Sequence, residues 1–328
     1  MNTTLADADT SIPRPRAAVQ RVGDELVRLH SAIAVRPDEA WPLVDAVLEN
    51  GDTLLTLRQL AEKSGAELAD MTKLCQLLND RRYIWLAPPD GSVPLAEFSA
   101  EFRFWVRHWV RQMFAHPVWQ GILDGTASRF VMIGWVKENM HYTGSVIRHM
   151  TRAAAFAGDS AEGWTLLRHY SQEWDHYALF RAACASVGVD STLLEQAPPL
   201  PSTRAVTDLM RSIARMDPLV YNACEAMLEA TAERPPRVVE YFDHAQRNYD
   251  YPDDFIKPLV EHLHVDEEFE HIDIFDGLVA GMRTVSFDLM SDIMRACHSL
   301  ALTMRAWHAH IADVYGKCHD VSDILALV

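Results

Sequence analysis

Residues 261–275, EHLHVDEEFEHIDIF, place three histidines and six acidic side chains in about four helical turns. His264, Glu268 and His271 stand at i, i+4 and i+7, so a helix stacks them on one face. Alternating imidazole and carboxylate is a donor set for iron or manganese. The competing reading is a solvated acidic helix with incidental histidines, because exposed residues of these types are common. Glu267 and Glu270 fit a solvated face. His262 and Asp266 form another i, i+4 pair, but Phe269 ends that stripe.

Other helices carry matching chemistry. HYSQEWDHYALF holds Glu173 and His176 at i, i+3. YNACEAMLEATAE holds Glu225 and Glu229 among Ala, Met and Leu, and GWVKENMHYTGSVIRHM holds Glu138 and His141. Several carboxylates facing one interior are costly unless a cation neutralises them. The order Glu138, Glu173-x2-His176, Glu229, Glu268-x2-His271 follows the plan of carboxylate-bridged two-metal helical bundles, two helices with Glu and two with Glu-x2-His. His264 is extra to that plan. In a ferritin-like bundle it would sit behind the ligands.

The segment from about 98 to 310 resembles the heme-oxygenase-like di-iron oxidases, relatives of the thiaminase TenA and the quinone synthase PqqC. The resemblance rests on the Glu/His pair in QEWDHYALFRAACASVGV, a lone Glu on a later helix, and a His-x3-acid-x2-His motif. It implies a metal set of Glu173, His176, Glu229, His264, Glu268 and His271, with Glu225 the rival of Glu229 and Glu138 an additional carboxylate. Glu268 departs from the family pattern, where Asp is usual. The resemblance further implies two Fe ions, with Mn the other candidate metal, and O2 as co-substrate. The substrate expected is a small amino acid, amine or carboxylate. The same fold also serves metal-free enzymes, and a metal- or ligand-sensing regulator is the non-enzymatic alternative.

The rest of the chain must position these residues. With 328 residues and 49% hydrophobic content it can bury a large core. A net charge of −16 argues against nucleic acid and anionic membranes as partners. No apolar run approaches the ~20 residues of a membrane span, and the polar N-terminus lacks a signal-peptide plan. Five scattered cysteines without a CxxC suit a reducing cytoplasm. No Gly-rich phosphate loop is present.

The expected architecture is an all-α, heme-oxygenase-like seven-helix bundle over 98–328, preceded by a small winged-helix-like α+β module within 1–97. In that module, 1–15 read as a disordered lead and 16–35 and 39–50 as helical patterns. Thr56 caps a helix ending near Lys63, and Gly65 turns the chain. A second helix over 69–79 buries Met71, Leu74, Leu77 and Leu78. Tyr83–Ala87 and Val93–Phe98 form a hairpin. The second helix offers only Lys73 as a cation, so peptide or partner binding fits the module better than DNA. A substrate tethered to a peptide or carrier protein follows as an expectation, and a homodimer is the expected assembly. The seven helices are expected at about 98–122, 127–157, 161–187, 202–232, 235–249, 254–282 and 285–315. The aromatic run EFRFWVRHWVRQMF reads as core packing, and His308 and His310 as surface or supporting residues.

Overall fold

The computed structural model describes residues 10–16, 19–22, 25–28, 31–34, 40–53, 55–87, 91–230, 238–268 and 274–326. It divides into two compact units, Met1–Pro94 with Thr284–Phe287, and Leu95–Arg283 with Asp288–Val328.

The smaller unit contains β1 (Ile12–Pro15), β2 (Val19–Val22), β3 (Glu25–Arg28), β4 (Ser31–Ala34), α1 (Trp41–Thr53), α2 (Leu57–Ser64), α3 (Leu68–Asp80), β5 (Ile84–Ala87), β6 (Ser92–Pro94) and β7 (Thr284–Ser286). The stretch expected to be helical at 16–35 is instead a three-stranded antiparallel meander, β2-β3-β4. Its apolar residues do follow helical spacing. The Gly23-Asp24 dipeptide between β2 and β3, a tight-hairpin signal, outweighs them. Residues 12–15, expected within a disordered lead, pair with β5 in register Ile12↔Ala87 to Pro15↔Ile84. Pro13 and Pro15 are tolerable there because β1 is an edge strand.

From α1 to α3 the helical expectation holds. Thr56 accepts from Gln59 N and Gln59 reciprocates, a complete capping box, and Gly65 closes α2 at φ +69°. On α3, Met71, Cys75 and Leu78 share the buried face, whereas Leu77, expected inside, is half exposed. The expected hairpin does not form. β5 takes β1 as its partner and β6 takes β7, from nearly two hundred residues later. Long-range partners of this kind leave no local trace. The winged-helix likeness is therefore limited to the order of its helices.

The larger unit is helical: α4 (Leu95–Met113), α5 (Pro117–Asp124), α6 (Arg129–Thr143), α7 (Val146–Ala157), α8 (Ala161–Glu173), α9 (Tyr177–Ser186), α10 (Ser191–Gln196), α11 (Pro201–Ile213), α12 (Pro218–Glu229), α13 (Val238–Tyr249), α14 (Asp253–Glu268), α15 (Ile274–Val279), α16 (Phe287–Tyr315) and α17 (Val321–Ala326). Most expected runs are thus helix pairs. The breaks are chemical: His116 caps α5 ahead of Pro117, and Asp217 caps α12 ahead of Pro218. α10, capped by Asp190, lies inside a stretch expected to be loop. No helix among the described residues is long and apolar enough to cross a membrane.

Two helices are buried nearly all round. α6 buries Val131 to Val136 except Trp135, then Lys137 and Glu138; α12 buries Leu219 to Met227 without interruption. α9 packs against both α6 and α14. This arrangement brings Glu173 and His176, on either side of the α8–α9 break, into the interior, while Trp174 between them stays exposed.

Candidate metal centre

The helical run that continues past Glu173 in the sequence breaks there. α8 ends at Glu173 and α9 begins at Tyr177, with His176 in the N-cap position. That break swings His176 back onto Glu173, with Nδ1 2.8 Å from Oε2. One turn earlier on α8, His169 Nε2 lies 3.8 Å from the other oxygen, Oε1. α14 supplies a third imidazole, His262, whose ring meets that of His176 edge-to-face. One ligand atom from each of Glu173, His176 and His262 falls within a 4.8 Å cluster.

Glu173 and His176 are both buried. Burial pushes the Glu173 carboxyl up, but the hydrogen bond and charge of His176, with His169 and His262, hold it below its usual range. An anionic carboxylate framed by imidazoles is thus its native state. This donor chemistry fits iron: a hard oxygen anion with borderline nitrogen ligands, buried where a cation would offset its charge.

Two more carboxylates approach from α12. Glu225 and Glu229 both line a cavity of about 150 Å³ together with Glu173 and His262. Burial pushes the Glu225 carboxyl up to about 7, with the charge of Glu173 adding and the Tyr221 hydroxyl opposing. Tyr142 is raised well above its ordinary value by burial and then by the charges of Glu225, Glu229 and Glu173. Tyr221 in turn sits 2.6 Å from Nδ1 of His149, whose imidazole burial pushes down to about 3. The remaining walls are mostly apolar and rich in aromatic rings, among them Trp119, Trp135, Phe180 and Trp307. His308 is buried rather than on the surface, contacts the Met113 carbonyl at 2.9 Å, and lines the same cavity. Trp105 and Trp109 are buried, as core packing requires.

Glu138 stands apart from this group. Its carboxylate is taken up by Lys137 Nζ at 3.1 Å, the Leu200 amide at 3.0 Å, and the hydroxyls of Tyr315 and Thr203. Burial raises this carboxyl, but Lys137 and the three hydrogen bonds hold it low. Four donors saturate both oxygens, so Glu138 serves as an internal strut where the sequence suggests a ligand. His264 and Glu268 fall in the last turns of α14, whose side chains lie outside the described residues, as does His271. His262 is the residue that the sequence pattern passed over: its own-helix stripe is broken by Phe269, and only α9 reveals its partners. The signal that could have found it is the Glu173–His176 pair, which needs a ligand from another helix.

Residues 165–304 match the model of a protein family described as iron-containing redox enzymes. That span holds Glu173, His176, Glu225, Glu229 and His262, and excludes Glu138. No curated protein matches the chain. Among solved structures, a domain of unknown function with a heme oxygenase-like fold from Shewanella denitrificans OS217 superposes with TM-score 0.57 at 15% identity, covering 68% of this chain and 94% of that one. A TenA homolog from Pseudomonas syringae pv. tomato DC3000 does so with TM-score 0.53 at 14% identity, covering 66% and 93%. The chain therefore has the heme-oxygenase-like fold, preceded by a small module with strands.

Proposed function

We propose that this protein is an iron-dependent oxidoreductase that uses O2 on a small amino-acid-, amine- or carboxylate-type substrate. The observation that carries the reading is the Glu173–His176–His262 cluster, its first two members buried, set beside an aromatic-rich cavity within the span that matches iron-containing redox enzymes. Glu173, His176 and His262 would hold one iron. Glu225 and Glu229 would serve a second, with His264, Glu268 and His271 as the sequence-expected remainder. Bound iron would supply electrons to O2.

The chain's own residues do the rest. The aromatic walls exclude water, which strengthens electrostatic interactions inside and protects reactive species. The cavity, about 150 Å³ in the iron-free protein, limits the substrate to a small molecule. In the iron-free protein Glu225, with its carboxyl near 7, carries a proton that an entering cation would displace.

Anaerobic loading with Fe(II), followed by Mössbauer spectroscopy before and after O2, tests the reading. Two irons per chain that oxidise on exposure are expected, with loss of uptake in His176→Ala. A protein that takes up no iron overturns it.

A further inference from the structure

A cleft of about 550 Å³ is bordered by α6, α7, α9 and α11, and none of Glu173, His176 or His262 lines it. Four arginines do: Arg148 of α7, Arg181 of α9, and Arg204 and Arg211 of α11. Arg204 and Arg211 are seven residues apart, so α11 presents them along one face. Arg181 pairs with Glu195 at 2.5 Å and Arg211 with Asp208 at 3.1 Å. Arg148 and Arg204 have no carboxylate partner among the described residues. Four cations thus face two anions in a chain whose net charge is −16. The surplus is local and runs against the overall field.

Three further observations point to an anionic ligand. Nε2 of His141, which lines the cleft, is buried without a hydrogen-bond partner, and so is Nε of Arg211. Burial, with Lys137 and Arg204 nearby, pushes His141 down to about 4, so its neutral ring keeps one N–H to offer. Finally, the twelve-residue helix α7 starts at the cleft with no side chain capping its amides. The Ser145 hydroxyl donates to the Tyr142 carbonyl instead.

We propose that this cleft binds a small organic oxyanion carrying at least two negative charges, a phosphate ester or a polycarboxylate. Guanidinium groups match both by paired, coplanar hydrogen bonds. The volume exceeds that of bare phosphate and falls in the ~300–1,000 Å³ range of small-molecule pockets. The site is independent of the proposed iron chemistry.

Calorimetric titration of the full chain with glucose 6-phosphate, succinate and inorganic phosphate, against chloride at matched ionic strength, is the test. Saturable binding of one of the organic anions is expected, tighter than that of inorganic phosphate. Which of the two binds identifies the headgroup. Arg148→Ala and Arg204→Ala should each weaken it at least tenfold, and Arg204→Lys should recover part of the loss. Arg305→Ala, an exposed position on α16 outside the cleft, should leave it unchanged. Thermal midpoints without ligand should be alike in all variants. Binding no stronger than chloride, an equal loss in Arg305→Ala, or inorganic phosphate binding as tightly as both organic anions overturns the proposal.

Discussion

The imidazoles of His176 and His262 meet edge-to-face with ring centroids 4.8 Å apart, although 86 residues separate them in the chain. One sits at the N-cap of α9 and the other just past the middle of α14, and Glu173 joins them. If they share an iron, His262→Ala should weaken Fe(II) binding at least about tenfold, comparably to His176→Ala, since even supporting residues of metal sites are worth 10–100-fold. Competition with a chromophoric chelator measures it. Wild-type affinity in folded His262→Ala would move the centre away from α14's penultimate turns.

The helical character of the larger unit's described residues was legible because apolar spacing over long segments is a strong signal. So were Thr56 and Gly65, whose capping chemistry is local. Partner choice was not legible. β5 pairs with β1 and β6 with β7, where the local pattern suggested a hairpin. The same limit governs the site. Glu173 and His176 are three residues apart and were identified together, whereas His262 depends on how α14 packs against α9. Glu138 shows the converse error. Its spacing to His141 resembles a ligand pair, but adjacent Lys137, Thr203 and Tyr315 consume the carboxylate, and His141 lines a different cleft.

The Lys137–Glu138 pair is an entirely buried salt bridge. Glu138→Gln would leave the Lys137 ammonium in the core without a counter-charge, which typically costs about 3–5 kcal/mol. Folded Glu138→Gln should nonetheless keep its iron stoichiometry. Adding Lys137→Met should recover much of the lost stability, because it takes the uncompensated charge out of the core. Urea unfolding and iron analysis on the same samples separate the two roles. Iron loss at unchanged stability would restore Glu138 to the ligand set.

Gly134 is required by a close approach. A Cβ there would lie 2.1 Å from Cγ of Tyr315, a residue with no exposed surface whose hydroxyl is tied to Glu138. The ring cannot retreat without breaking that hydrogen bond. Gly134→Ala should therefore destabilise by about 1–3 kcal/mol or more, the range for overpacked cores. Gly277→Ala on α15, where nothing lies within 4 Å, should be neutral or slightly stabilising. Equal melting temperatures for the two variants would refute the packing argument.

Glu225 sets a pH dependence whose sign is fixed by its burial. Its carboxyl moves from an ordinary 4.5 up to about 7 on folding. Below 4.5 both states keep the proton. Between 4.5 and 7 the unfolded chain releases it while the folded iron-free protein retains it, so this contribution to stability declines as pH rises through that window. At about 1.4 kcal/mol per pH unit, the ceiling is roughly 3 kcal/mol. His149, pushed from 6.5 down to about 3, acts oppositely: its contribution is present above 6.5 and is lost as pH falls towards 3. The difference between wild type and Glu225→Gln isolates the carboxyl. Glu225→Gln should become relatively more stable as pH rises from 4.5 to 7. Iron favours the charged carboxylate, so uptake by the wild type should tighten across neutrality and release a proton, and that trend should be shallower in Glu225→Gln. Parallel stability curves for the two proteins would show that Glu225 is already ionised in the iron-free core.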